Sequence, residues 1–156
     1  MSLRAGRALT ALLLCTACFG GAAEQPAPAV PQPSDAEIAA FSQRIEAFYS
    51  QLQDIPLDTL STYENRELRS CFASQAAFSD YFSALATHAR EMYFRDTTAR
   101  KVRIREFHFD GPEQAGVVVT FTSVHQREIR FWSIGFDRYD TWRLIDGVWQ
   151  IVPDKL

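Results

Sequence analysis

Apolar residues return at intervals of three and four positions over the first segment that is predicted to fold. Ser34 and Asp35 are good helix caps, and Glu37 follows in the first turn. The pattern predicts an amphipathic helix of about five turns that ends at Pro56. Its apolar positions are Ile38, Phe41, Ile45, Phe48, Leu52 and Ile55. A stripe of this length has to lie against something broad, such as a sheet.

Two more helices are predicted before the pattern changes. The second is shorter and runs from about Leu57 to Phe72. The third is capped by Ser74 and ends near Phe94, because the sequence Asp-Thr-Thr that follows favours a turn. The residues that share its apolar face are Phe78, Tyr81, Phe82, Leu85, Ala89 and Met92.

The second half of the chain alternates between apolar and polar residues, which is the period of a β-strand. Val102 and Ile104 alternate with arginines, whereas Phe107 and Phe109 fall on the opposite parity. An extra residue in the strand would restore a single apolar face. The sequence therefore predicts a β-bulge near Glu106.

Three further strands follow in the sequence. Val117–Val124 is a dense β-branched run, another alternating run begins at Ile129, and the turn between them contains His125. The pair Asp146-Gly147 between alternating runs predicts a tight hairpin before the last strand. Three helices followed by about four antiparallel strands predict an α+β domain, with the helices on one face of a curved sheet.

The closing segment Thr141–Val152, with the sequence TWRLIDGVWQIV, resembles the final hairpin of nuclear transport factor 2-like (NTF2-like) domains, the superfamily of the polyketide cyclases and ketosteroid isomerases. The order of helices and strands is also similar over about residues 35–153. The resemblance implies a cone in which the sheet and the long helix enclose a cavity. Members use that cavity for isomerisation, dehydration or cyclisation, for ligand binding, or for partner contacts. The acid/base motifs of the enzymes have no match here, so the resemblance assigns no catalytic residue.

The beginning of the chain has the order of a secretory signal segment. Arg4 and Arg7 are followed by an apolar stretch, Ala8–Phe19, and then by small residues. The apolar stretch is shorter than the approximately 20 residues that span a bilayer. We predict cleavage after Ala23, followed by a proline-rich tether over residues 24–34 and the folded domain over residues 35–156. The protein is expected to be exported, either periplasmic or secreted.

Cys18 offers an alternative processing route. Ala17 before it is small, as in a lipoprotein signal, but Cys15 occupies the position where an aliphatic residue is expected. Lipidation at Cys18 would anchor the protein to a membrane through acyl chains, without a spanning helix. A mature chain that begins at Glu24 in mass spectrometry would exclude the lipid.

Composition narrows the classes of chemistry. Arg4 and Arg7 leave with the signal, so 14 of the 16 basic residues remain against 19 acidic ones. A chain with this acidic balance has no bulk attraction to nucleic acid. Cys71 is the one thiol certain to remain after processing, and a single thiol forms no internal disulfide. The sequence contains no metal-ligand spacing, and neither a metal nor a cofactor is expected.

Three residues are weak candidates for acid/base catalysis. His108 alternates with two phenylalanines, so its side chain faces away from them, into a cavity or into water. Asp137 and Tyr139 lie with Asp140 in a polar interruption of the third strand, where a carboxylate beside aromatic rings can become a base. The plainer interpretation is a bulge or bend in that strand which admits solvent. His88 is expected to be structural.

Aromatic residues are abundant on the predicted strands, and some strands are apolar on both faces. One face packs on the helices. The other is predicted to line a cavity, to contact a partner or to form a homodimer. The residues predicted for this cavity or partner surface are Phe131, Trp132, Phe136 and Trp142.

Two functions remain open at this point. The first is a non-catalytic accessory module of the cell envelope that binds a protein partner or a small apolar ligand. The second is a small cofactor-free enzyme of the isomerase or dehydratase type, which requires an enclosed pocket where two titratable groups converge.

One cluster of basic residues is expected to be a solvated face or a docking patch for an acidic partner. It consists of Arg95, Arg100, Lys101, Arg103 and Arg105.

Overall fold

The computed structural model describes residues 33–127 and 132–153. The described chain is α+β, with helices first and an antiparallel sheet after them, as the sequence predicts. The helices are α1 (Asp35–Gln51), α2 (Leu60–Glu64), α3 (Arg66–Arg69) and α4 (Gln75–Glu91), followed by a short 3-10 turn, Arg95–Thr97. The strands are β1 (Lys101–Phe109), β2 (Gln114–Val124), β3 (Ser133–Ile145) and β4 (Val148–Val152). The predicted signal segment and most of the tether lie outside the described residues.

Helix α1 begins where the sequence predicts but ends one turn early. The Ser34 side chain accepts a hydrogen bond from the Glu37 backbone N–H, and the Glu37 carboxylate accepts one from the Ser34 N–H, which completes a capping box. The predicted end at Pro56 is wrong. Asp54 adopts a left-handed φ of 59°, and its N–H donates to the Ala99 carbonyl oxygen at 2.8 Å, so the chain turns towards the sheet first.

The predicted second helix consists of two short ones. Asn65 separates α2 from α3 with an extended backbone, and its side-chain oxygen accepts from the N–H groups of Glu67 and Leu68. An asparagine that caps the following turn in this way ends one helix and begins the next. The prediction of three helices is therefore wrong by this one break. Ser74 caps α4 as predicted, by accepting from the Ala77 N–H at 3.1 Å.

The sheet has the strand order β1-β2-β3-β4, and every neighbouring pair is antiparallel. The predicted bulge is confirmed, because the register between β1 and β2 shifts between Ile104 and Glu106. The predicted hairpin is confirmed as well. Asp146 and Gly147 take φ values of 51° and 76°, the left-handed pair that favours an Asp-Gly turn.

The two faces of the sheet differ in burial. On β3, alternate residues such as Phe136, Asp140 and Trp142 point inward against the helices, where a single aromatic core forms. Asp137 and Tyr139 point to the opposite side, called here the outer sheet face, and are exposed. No helix in the described residues is long and apolar enough to cross a membrane.

Candidate functional site

A buried carboxylate lies at the centre of the domain, on the inner face of β3. Asp140 is 3% exposed, and both of its oxygens accept hydrogen bonds. Its Oδ2 accepts from the hydroxyl of Tyr49 on α1 at 2.7 Å and from that of Tyr81 on α4 at 2.8 Å. Its Oδ1 accepts from the Nε of Arg138 at 2.7 Å. This group of side chains, called the Asp140 centre, ties both long helices to one strand.

The charges of the Asp140 centre balance one another. Burial, followed by the negative charge of Asp140, raises the pKa values of the Tyr49 and Tyr81 hydroxyls well above their usual value. Both phenols therefore stay protonated and keep donating. Burial by itself would lower the pKa of the Arg138 guanidinium, but Tyr81 and Asp140 raise it overall. The guanidinium also lies over the Tyr81 ring at 4.4 Å.

Aromatic rings fill the space beside this centre. The Trp142 side chain is fully buried, and its Nε1 donates to the Tyr49 hydroxyl at 3.3 Å. Its ring centroid lies 6.0 Å from that of Phe41 and 5.7 Å from that of Phe48, in edge-to-face contacts. Phe41 also contacts Trp149 at 4.7 Å. The described rings thus occupy the interior between α1 and the sheet, where the resemblance implies a cavity.

A groove runs along the surface between α4 and β3, and we call it the α4–β3 groove. It consists of two adjoining hollows of about 290 Å³ and 370 Å³, which share Ala84, His88 and Arg138. The His88 ring stacks on Phe136 with 4.1 Å between ring centroids. Asp80 and Glu91 line the two hollows from α4. Through Arg138, the groove reaches the Asp140 centre from outside.

His108 and Tyr139 meet on the outer sheet face. The Tyr139 hydroxyl lies 3.4 Å from the His108 Nε2, which is also 3.5 Å from an oxygen of Asp110. Gly116 lies between them on β2, and a Cβ there would collide with the Tyr139 hydroxyl. The bare backbone of Gly116 is therefore what allows the two side chains to approach. Both are about half exposed, so water reaches the pair.

The structure brings two of the three predicted acid/base candidates together and leaves the third apart. Asp137 shares the outer sheet face with His108 and Tyr139, but its carboxylate accepts a hydrogen bond from the Thr120 hydroxyl. Its cross-strand partner is Thr120, whereas that of His108 is Gly116. Asp137 and Tyr139 line one hollow of the α4–β3 groove, which is open to solvent, whereas an acid/base site is expected in an enclosed pocket.

The residues predicted for a partner or cavity surface separate in the structure. Trp132 is 56% exposed beside the start of β3. Phe136 is buried and stacks on Phe121 as well as on His88, and Trp142 is buried completely. Phe136 and Trp142 therefore belong to the core, and neither is exposed to a partner on the surface. Phe131 lies outside the described residues.

The Asp140 centre is the arrangement that the sequence interpretation missed. A bend that admits solvent was expected at this point, but β3 runs unbroken from Ser133 to Ile145 and pairs with β2 in a constant register. The alternation of inward and outward positions along β3 does indicate this arrangement. Asp140 has the same parity as Phe136 and Trp142, whereas Asp137 has the opposite one.

The other titratable residues noted in the sequence lie in surroundings that indicate a structural role. His125 is buried, its ring stacks on Tyr93, and its Nδ1 accepts from the Arg127 N–H. Cys71 is buried, and burial raises the pKa of its thiol. Within residues 33–127 and 132–153, no group of three or more His, Cys, Asp or Glu side chains is placed to hold a metal ion. In the basic cluster, Arg100 forms an exposed ion pair with Asp54 at 3.2 Å.

Comparison with known proteins yields two solved structures. One is a Campylobacter jejuni protein described as an NTF2-like transpeptidase, which is 13% identical, with coverage of 78% of this chain and 100% of that one and a TM-score of 0.37. The other is a Xanthomonas campestris protein described as a calcium/calmodulin-dependent protein kinase II association domain, which is 17% identical, with coverage of 80% and 87% and a TM-score of 0.39. No family model and no curated protein matches the sequence. At these TM-scores, neither structure assigns a role to any residue.

Proposed function

We propose that this chain is an exported, non-catalytic binding module of NTF2-like architecture that serves the cell envelope. The observation that carries the proposal is the state of the interior. Trp142 and its neighbouring rings occupy the cone, and the Asp140 carboxylate is held by Tyr49, Tyr81 and Arg138. A general base needs room for substrate beside it. The Asp140 centre therefore fits a structural clamp.

The alternative is a cofactor-free enzyme of the isomerase or dehydratase type. Its one point of support is that two phenols and a carboxylate converge in the Asp140 centre, as an acid/base site requires. Such an enzyme would have to expel the Trp142 ring from the core to admit substrate. Displacing a fully buried tryptophan costs several kcal/mol, of about the size that removing its side chain would. The binding role avoids this cost.

The outer sheet face has the composition of a contact surface. Val118 and Tyr139 lie at its middle, Tyr139 being 46% exposed, and Val124 and Val148 are exposed towards its ends. Arg103, Asp137 and Arg143 surround this apolar strip. An apolar and aromatic centre within a charged rim is the usual anatomy of a protein interface.

A second copy of the chain fits this face by charge. Arg103, Thr120 and Asp137 lie in one row across three strands, with Thr120 in the middle. A twofold axis through Thr120 would place Arg103 of each copy opposite the partner subunit's Asp137, twice in the same interface. We therefore propose a homodimer through the outer sheet face.

Charge exchange across the row tests the homodimer. We expect light scattering coupled to size exclusion to show a dimer of the mature chain. Arg103→Asp or Asp137→Arg alone would weaken dimerisation by about tenfold or more, because like charges then face each other. The double variant R103D/D137R would restore it, since the pairs are only exchanged. Arg66→Asp, an exposed substitution on α3, is the matched control.

Two results would contradict this proposal. A mature chain that stays monomeric at every concentration would exclude the homodimer. A double variant that dimerises as weakly as the single variants would show that Arg103 and Asp137 do not meet across the axis. A heterologous partner for the same face would then be sought with Tyr139 at its centre.

A further inference from the structure

The part of β3 beyond the end of β4 has one edge open in the described chain. β4 pairs only with Thr141–Ile145, while β2 pairs with β3 along its whole length. The first residues of β3, Ser133–Asp137, therefore have a strand on one side only among the described residues. An open edge of this kind is a template for another strand.

The direction of the backbone groups follows from two hydrogen bonds. The Leu144 N–H donates to the Glu113 carbonyl oxygen on the β2 side. Because backbone groups alternate sides along a strand, those of Ser133, Gly135 and Asp137 point to the other side, at the open edge. The Ile151 N–H donates away from β3, to the Cys71 carbonyl oxygen, which agrees with this phase.

The sequence leaves this edge without the usual protection. Edge strands are commonly blocked by proline, lysine or a bulge. The stretch Ser133–Asp137 has none of these, and its pairing with β2 continues without a shift of register. Gly135 contributes no side chain that would screen its own N–H and carbonyl groups.

The α4–β3 groove lies beside the open edge and determines which kind of strand fits there. Alternate side chains of an added strand would point into the groove, against Ala84 and His88. Asp80 and Glu91 line it from α4, both are exposed, and neither forms an ion pair with a described residue. The one arginine in the groove, Arg138, is neutralised by Asp140. The groove is therefore negative.

We propose that the open edge of β3 receives an extended, basic segment of a protein partner, which adds to the sheet as a further strand. Main-chain hydrogen bonds to Ser133, Gly135 and Asp137 would supply affinity, and lysine or arginine at alternate positions, paired with Asp80 and Glu91, would supply specificity. A second copy of this chain is disfavoured as the occupant, because two such edges would bring Asp137, Asp80 and Glu91 of both copies together. The proposal rests on the binding role but uses another surface than the outer sheet face.

A synthetic peptide in which lysine alternates with valine is the probe. We expect fluorescence anisotropy to show that it binds the mature chain, and NMR to show shifted and exchange-protected amides at Ser133, Gly135 and Asp137. A peptide of equal charge with proline in place of each valine would bind about tenfold or more weakly, since it cannot form the ladder. Glutamate in place of the lysines would abolish binding.

Variants of the chain separate the edge from general electrostatics. The variant D80K/E91K should bind the lysine–valine peptide about tenfold or more weakly than the wild type. The variant E106K/E113K changes the net charge by the same amount, but on β1 and in the β1–β2 turn, away from the β3 edge. It should leave binding of the peptide unchanged. The outer-face variant R103D, on β1 and away from the β3 edge, reports on the homodimer alone, so failure of one proposal is distinguishable from failure of the other.

Three outcomes would overturn the inference. Equal binding of the proline peptide and the valine peptide would show that charge alone is responsible. Shifts confined to the outer sheet face would place the peptide elsewhere. Protection of the Ser133, Gly135 and Asp137 amides in a concentrated sample without peptide would show that a second copy occupies the edge.

Discussion

The four polar residues from Asp137 to Asp140 show how a strand gives neighbouring side chains different roles. Asp137 and Tyr139 face water, whereas Arg138 and Asp140 face the core. The alternation with Phe136 and Trp142 was sufficient to predict this division. The partners of Asp140 were not predictable in the same way, because Tyr49 and Tyr81 lie 91 and 59 residues earlier in the chain.

Asp140→Asn tests the Asp140 centre at the level of one side chain. It removes the negative charge but keeps the shape, so it leaves Arg138 with an unbalanced charge and points an N–H₂ group at a hydroxyl that donates. We expect the free energy of unfolding in urea to fall by about 3 kcal/mol. Glu106→Gln, at an exposed position on β1, is the control and should change it by about 0.5 kcal/mol or less.

Equal effects of the two substitutions would contradict a structural role for the buried carboxylate. Should the Asp140→Asn chain not fold, Tyr81→Phe gives a milder version of the same experiment. It deletes one hydrogen bond to a charged group, which is worth about 2 kcal/mol. A Tyr81→Phe variant as stable as the wild type would equally count against the clamp.

At the scale of helices and strands, local sequence patterns predicted the features that local interactions determine. Ser74 begins α4, Asp146-Gly147 turns the last hairpin, and the change of parity before Phe107 marks the bulge. The end of α1 was missed because it depends on a distant contact. The left-handed Asp54 is held by the Ala99 carbonyl oxygen, and the helical period of the sequence carries no trace of that hydrogen bond.

Two glycines on adjacent strands should respond differently to the same substitution. A Cβ at Gly135 would come within 2.6 Å of the Phe121 carbonyl oxygen, which is backbone and cannot move without disturbing the β2–β3 pairing. We expect Gly135→Ala to lower the free energy of unfolding by about 1–3 kcal/mol. At Gly116, the Cβ would displace only the ends of the Tyr139 and His108 side chains, so Gly116→Ala should cost less than Gly135→Ala.

Urea unfolding of both variants measures this difference, and the NMR signals of the His108 ring report whether Tyr139 has moved away. The expectation is wrong if Gly116→Ala proves the more costly of the two. It is also wrong if the His108 signals are unchanged in that variant.

For the whole molecule, the predicted compartment and the predicted cysteine content lead to one consequence. The predicted cleavage after Ala23 would leave Cys71 as the remaining thiol, and Cys71 is buried in the core. A domain of this size then depends on packing, and the described core is rich in aromatic rings, which bury large areas. The sequence shows that aromatic residues are abundant on the predicted strands, but it did not predict how completely Trp142 and Phe41 would fill the interior, because packing depends on three-dimensional shape.

Stability of the mature domain should therefore be independent of redox conditions. We expect the midpoint of urea unfolding to be the same with and without a thiol reductant. A thiol-specific reagent should react with Cys71 only as the chain unfolds, because burial both shields the thiol and raises its pKa. A lower midpoint in reductant, or rapid modification of the folded chain, would contradict this expectation.

The bulge in β1 affects how this strand should be aligned with the strands of other sequences. Arg105 has no opposite residue on β2, and this single insertion keeps both Val102 and Ile104, before it, and Phe107 and Phe109, after it, on the inner face. A chain lacking one residue here would have to turn one of these pairs out to water. When divergent sequences are aligned with this one, a one-residue gap therefore belongs at Arg105 rather than in the neighbouring loop, and its presence or absence is a character by which they can be grouped.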